Sequence, residues 1–358
     1  MKKRKIVRDR RKAVSILCAV LTLGALLING CRLPNEKRIT TVKIGITMYD
    51  EFDPFTATIA EKIQESANNI GAANNVNVSC EITTSNKSQL RQNDQVRDYI
   101  NKGYDVICVN LVDRTDAMQI IDMAKKSDTP IIFFNRELVK EDLERFDKLY
   151  YVGANPEQSG KFQAEIITDA LGDAERFKEI DFNHDGVIQY VMLEGEAGHQ
   201  DALIRTKVSV EEIKAAGFEV EKLRDEIANW SREQAMTKMT KILEGYPWQI
   251  ELVIANDDNI ALGALDALEN YGVPKLPVIV GVNGEKEVFE NIAEGKIEGT
   301  VYNNGIAKGE LIGRMAYSLS TTGELPEDIN LTEGKYIYVP YEKVNRANLA
   351  EYMDRAVY

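Results

Sequence analysis

Residues 104–135 read YDVICVNLVDRTDAMQIIDMAKKSDTPIIFFN. The stretch opens on an apolar run, Tyr104–Asn110, that is short and rich in Val and Ile. Thr115–Lys126 follows at helical spacing, and a second apolar run, Pro130–Asn135, closes the unit. Strand, crossover helix, strand is the repeating unit of a parallel sheet. Such strands are buried on both faces and so read as continuous hydrophobic runs.

The pattern extends both ways. Upstream lie the runs Val42–Met48 and Val76–Ile82, with helical spacing over Phe55–Ile70 (Ile59, Ile63 and Ala67 share a face) and Ser88–Lys102. Downstream, the runs Leu149–Gly153, Gly186–Leu193, Phe218–Arg224, Leu252–Asn256, Val278–Val282 and Gly299–Tyr302 alternate with helical segments at Gln158–Leu171, Asp201–Ala216, Ser231–Leu243, Ile260–Tyr271 and Lys286–Gly295. Single open sheets of that many strands are uncommon, so the fold class is α/β with two doubly wound parallel-sheet lobes. Polar side chains gather just past the strands' carboxyl ends, where open α/β sheets bind ligands. Asp53 follows the first strand, Asn110 and Asn135 close the third and fourth, and Asp257 and Asp258 follow LVIAN.

Composition sets further bounds. With 44% apolar and 28% charged residues among 358, the chain is globular and not disordered. Formal net charge is −13; residues 1–30 carry eight Lys/Arg and one Asp, so the remainder stands near −20. That acidity repels phosphate backbones and excludes nucleic acid as a partner. There are two His, at 184 and 199, and no nucleophile elbow, zinc-protease motif, phosphate loop or dinucleotide fingerprint. The chain is expected not to be an enzyme.

The N-terminus reads as an export signal. A basic segment, Lys2–Lys12, precedes the uncharged stretch Ala13–Asn29, and Leu27-Ile28-Asn29-Gly30-Cys31 resembles a bacterial lipoprotein signal. Residues 1–30 are then a signal peptide, Cys31 carries the acyl chains, and 31–41 is a tether. The body would lie outside the cytoplasmic membrane, held to it by lipid. Cys80 and Cys108 are expected to be buried free thiols, because their strands flank a third one and do not neighbour each other.

Two clusters carry chemistry. Asp181-Phe182-Asn183-His184-Asp185-Gly186-Val187-Ile188-Gln189 matches the front half of a calcium loop. Asp181, Asn183, Asp185 and Gln189 would supply side-chain oxygens and Val187 its carbonyl, with Gly186 at the sharp turn. Position twelve is Met192 where a bidentate Glu should be, so a carboxylate from elsewhere is needed. The second cluster is His199, Asp201 and Arg205 at a helix start; Asp201 and Arg205, four apart, share a face. Phe55 and Trp230 stand at the same strand mouths. Two flat rings with acids and amides around them suit a pyranose, which has apolar faces and an equatorial belt of hydroxyls.

Together IGITMYDEFDPF, VNLVDRTDA, PIIFFNRE, DFNHDGVIQ, EGEAGHQDALIRT, IELVIANDD and GTVYNN resemble the bacterial glucose/galactose-binding protein family, over roughly residues 42–358. The resemblance implies a type I periplasmic binding protein architecture, strand order 2-1-3-4-5 in each lobe and a hinge of three crossovers, near Gly153–Ala154, Tyr302–Asn303 and Tyr338–Pro340. The lobes would be 42–153 with 303–338 and 154–302 with 339–358. It also implies that Phe55 and Trp230 sandwich a glucose- or galactose-type monosaccharide. Asp53, Asn110, His199, Asp201, Arg205, Asp257 and Asn303 would hydrogen-bond its hydroxyls, with Asn283 as the remaining rim residue. Glu251 would complete a structural Ca2+ site. Asp257 and Asn283 exchange the amide and carboxylate typical of the family. The implied role is that of a monomeric receptor delivering sugar to an ABC permease; the alternative is a receptor signalling to a membrane chemosensor or sensor kinase.

Overall fold

The computed structural model describes residues 41–355. Cys31, the leader, most of the tether and residues 356–358 lie outside them. The first lobe opens with strand β1 (Thr41–Met48), helix α1 (Pro54–Ala73), β2 (Asn77–Thr84), α2 (Gln89–Asn101), β3 (Val106–Val109), α3 (Met118–Ser127), β4 (Ile131–Phe134), the short α4 (Lys140–Leu143) and β5 (Leu149–Gly153). The chain then crosses to the second lobe: α5 (Pro156–Leu171), α6 (Ala174–Ile180), β6 (Ile188–Glu194), α7 (Gln200–Ala215), β7 (Val220–Ile227), α8 (Arg232–Gly245), β8 (Leu252–Ala255), α9 (Asp258–Tyr271), β9 (Val278–Asn283), α10 (Lys286–Glu294) and β10 (Gly299–Tyr302). It returns through α11 (Gly305–Thr322) to β11 (Tyr336–Tyr338) and crosses a third time to β12 (Glu342–Asn345).

Each sheet has six strands, in the orders β11-β5-β4-β3-β1-β2 and β12-β10-β9-β8-β6-β7. The expected 2-1-3-4-5 order is the core of the first, and β11 extends it in parallel beside β5. β12 pairs antiparallel with β10. Those two end strands, and α11, have no counterpart in the sequence reading. Cys80 on β2 and Cys108 on β3 flank β1 and are free thiols. Cys108 is buried, but Cys80 is only half-buried because β2 is an edge strand.

The central strands bury Ile44 and Ile46, Ile107 and Val109, Val253 and Ile254 completely. α1 presents Ile59, Ile63 and Ala67 to that core, as its spacing requires. α11 lies against α1 through Gly309 and Gly313. A Cβ on Gly309 would come within 2.4 Å of Lys62 Cβ, and one on Gly313 within 2.7 Å of the Ile63 carbonyl.

Candidate ligand-binding site

Short loops lead from strand ends into helices, and the capping residues Asp53, His199 and Asp257 line the cleft. Asp53 caps α1: its Oδ1 accepts from Thr56 N–H at 3.1 Å, and Pro54 takes the first helical position, where no amide hydrogen is needed. Its other oxygen accepts from Tyr49 O–H at 2.9 Å. Asp257 caps α9, accepting from Ile260 N–H at 2.8 Å. His199 caps α7, with Nδ1 accepting from Asp201 N–H at 3.2 Å. Three sequence-selected site residues therefore hold both their helices and the cavity wall.

The cleft encloses a cavity of about 440 Å3, within the range of small-molecule sites. Nine of the ten sequence-selected ligand residues line it. Asp53, Phe55 and Asn303 come from the first-lobe side, and His199, Asp201, Arg205, Trp230, Asp257 and Asn283 from the second. Asn110 is the exception. It is wholly buried, donates to the Phe134 carbonyl at 3.1 Å and accepts from Tyr49 N–H at 3.3 Å. In this structure its amide braces the strand ends behind the cavity.

Trp230 and the preceding Asn229 both adopt left-handed backbone, with φ of 61° and 52°. That conformation is strained for a bulky residue and occurs where surrounding structure enforces it. The indole lies over Gly195, where a Cβ would sit 2.1 Å from its ring edge. It meets His199 edge-on at 5.0 Å between ring centroids.

Charges are held by networks. Arg205 is buried, and four of its five N–H donors are used: on Ser159 Oγ at 3.0 Å, the Asn256 carbonyl at 3.0 Å, Tyr341 O–H at 2.7 Å and Asp201 Oδ2 at 3.4 Å. Lys308, only 2% exposed, donates to Asn303 Oδ1 and stands 5.3 Å from the Phe55 ring centroid. Asn303 in turn donates through Nδ2 to Asn283 Oδ1 at 3.2 Å, and Asn283 is held at φ 130°. The relay leaves the Asn283 Nδ2 hydrogens for a ligand. Arg136 spans the cleft. It donates to Glu196 at 2.6 Å and its guanidinium carbon lies 3.8 Å from the centroid of the Tyr49 ring.

Burial dominates the titrations. It raises the Asp257 carboxyl to about 7. Asp53 and Asp201 are also raised, by burial first, against the pull of hydrogen bonds at Asp53 and of Arg205 and Lys308 at Asp201. Burial brings Lys308 down to about 7, opposed by Asp201. His199 is held well below its ordinary value by burial, with Arg136 and Arg205 adding to it. The imidazole is therefore neutral at pH 7. With Nδ1 accepting, Nε2 carries the hydrogen and is a donor.

Sequence reasoning did not single out Tyr49, Arg136 or Lys308. Arg136 directly follows Asn135 at a strand end, which was a usable signal. Lys308 lies inside a helix and gives no local sign of its position.

The calcium-type loop lies apart, between α6 and β6. Asp181 Oδ1 and Oδ2 accept from Asp185 and Gly186 N–H, and Gly186 has φ of 82°. Asn183 Nδ2 reaches Asp185 Oδ2 at 2.9 Å and Gln189 Oε1 at 3.1 Å. Glu251 bridges in from the start of β8, accepting from Phe182 N–H at 2.5 Å and Gln189 N–H at 2.9 Å. Among the described residues no three His, Cys, Asp or Glu side chains converge as a ligand set. The oxygen donors gathered here are instead mixed carboxylates and amides, the set a hard cation of calcium's size takes.

Residues 44–324 match the periplasmic binding protein domain family. The D-galactose/methyl-galactoside binding periplasmic protein of Haemophilus influenzae is 32% identical over 87% of this chain and 92% of its own. A putative rhizopine-binding protein of Rhizobium meliloti is 28% identical over 87% of this chain and 93% of its own. Among solved structures, an ABC transporter solute binding protein from Bacillus halodurans with bound myo-inositol superposes with a TM-score of 0.73. It is 25% identical and covers 89% of this chain and 99% of its own. Two parallel-dominated sheets, a cleft at their carboxyl ends and these matches together place the chain in the periplasmic binding protein domain family, as an extracytoplasmic binding protein and not an enzyme.

Proposed function

We infer that the protein captures a glucose- or galactose-type monosaccharide in the cleft and delivers it to an ABC permease. The supporting observation is one cavity lined by Phe55 and Trp230 together with acids, amides and Arg205 from both lobes. Phe55 and Trp230 would cover the apolar faces of the ring. Asp53, Asp201 and Asp257 accept from its hydroxyls, while His199 Nε2–H and Asn283 Nδ2–H donate. Only a closed cleft makes both sets of contacts, so ligand shifts the population toward closure. The galactoside-binding relative supports the choice of sugar.

Two further elements belong to this reading. Cys31 carries lipid and holds a monomeric receptor at the membrane. Asp181, Asn183, Asp185, Gln189, Glu251 and the Val187 carbonyl hold a structural Ca2+, which neutralises their clustered acids.

The test is a titration of Trp230 fluorescence with glucose and galactose. A saturable change is expected with at least one, and flat curves with both would refute the sugar assignment. Asp201→Ala should weaken binding about tenfold or more, by loss of a buried charged acceptor.

A further inference from the structure

Asn303 and Asn283 stand side by side at the ends of β10 and β9, where Asn303 N–H donates to the Asn283 carbonyl at 3.0 Å. Behind them, near the start of α11, lies Lys308, only 2% exposed. A buried cation is costly unless paired, and the amino end of a helix disfavours positive charge. The hydrogen-bond partner of Lys308 is nevertheless an amide, Asn303 Oδ1, and the rings of Phe55 and Tyr341 stand 5.3 and 5.6 Å from Nζ. So unfavourable a placement calls for a role beyond packing.

The two ends of a side-chain amide are alike in shape and opposite in hydrogen-bonding sense, so its neighbours decide which way it points. An ammonium donates and cannot accept. Burial brings Lys308 to about 7 against the pull of Asp201, so below that pH it is an ammonium. Facing it, Asn303 must offer Oδ1, which leaves Nδ2 to donate to Asn283 Oδ1 at 3.2 Å. With its oxygen so engaged, Asn283 meets the cavity through Nδ2, whose hydrogens no described residue accepts.

We propose that Lys308 is a specificity-determining residue that never touches the ligand: it sets the sense of the Asn303–Asn283 relay, so that the rim at Asn283 is a donor and selects a ligand oxygen by its ability to accept. The inference rests on the sugar reading above and adds what the site demands at one ring position.

The test is calorimetric titration of the full chain at pH 6 with glucose and galactose and with their deoxy and deoxyfluoro analogues at each hydroxyl. Fluorine accepts weakly and cannot donate. At one position the fluoro analogue should therefore bind about fivefold or more tighter than the deoxy analogue, because it answers an otherwise unpaired N–H. Asn303→Asp keeps the partner of Lys308 but cannot donate onward, so Asn283 turns its oxygen to the cavity. The fluoro preference at that position should vanish or reverse. Lys308→Met should shrink it about threefold or more, and Lys308→Arg should keep it. A wild type with no such position overturns the proposal, as does an Asn303→Asp variant that keeps the full preference, whether or not Lys308→Met folds. In both cases glucose or galactose still binds and the sugar reading stands; if neither binds, both readings fall.

Discussion

Asp257 shows how one side chain carries several duties. It caps α9, lines the cavity and has a carboxyl raised to about 7 by burial. The unfolded chain releases that proton near pH 4. Between pH 4 and 7 the folded form holds the proton more tightly, so this group's contribution to stability falls as pH rises through that window. Asp257→Asn keeps the cap, since Asn and Asp cap equally well. The variant should therefore gain stability over wild type at pH 7.5 relative to pH 5, by about 1–4 kcal/mol. Melting curves of ligand-free protein at the two pH values measure it, and a pH-independent difference would rule it out. In sugar titrations the charged carboxylate is the better acceptor, so affinity should rise with pH through 7 in wild type and less so in the variant. The site residues legible in the sequence were those that end a strand and begin a helix, where position alone implies the cleft. Tyr49, Arg136 and Lys308 reach the cavity or its rear wall through long side chains, and no spacing rule reports where those end.

At the level of elements, the alternation was readable because central strands are apolar throughout and the helices keep one apolar face. Its omissions have physical causes. β11 and β12 have three and four residues, the second reading Glu-Lys-Val-Asn, too short and too polar to show a period. α11 begins on glycine and has two more at 309 and 313, residues that weaken a helix in isolation but let it approach α1. Gly313→Val should lower the melting temperature, with an overpacking penalty of about 1–3 kcal/mol; a neutral substitution would mean that the two helices can separate freely. The loop at Asp181–Gln189 makes a second element-scale prediction. A chelator should lower the melting temperature by about 5–10 °C if the cation binds well below its working concentration. Glu251→Gln should remove most of that response, and an unchanged wild-type melt in chelator would reject the calcium reading.

For the whole molecule, the cross-cleft pair between Arg136 and Glu196 biases the two lobes toward each other. Its acid is about one-third exposed, so the pair contributes about 1 kcal/mol or less. Arg136→Ala should shift the ligand-free population toward the open form by about fivefold at most. Small-angle scattering would register a larger radius of gyration without sugar and an unchanged one with it. Equal ligand-free radii would show that the pair does not hold the cleft. The three crossings between the sheets have a different consequence. The first sheet receives β11 from residues 336–338, and the second receives β12 from residues 342–345, long after their other strands have been made. A ribosome that has released the chain only as far as Tyr302 has supplied neither lobe whole. Final assembly of either lobe thus waits for the last stretch of translation.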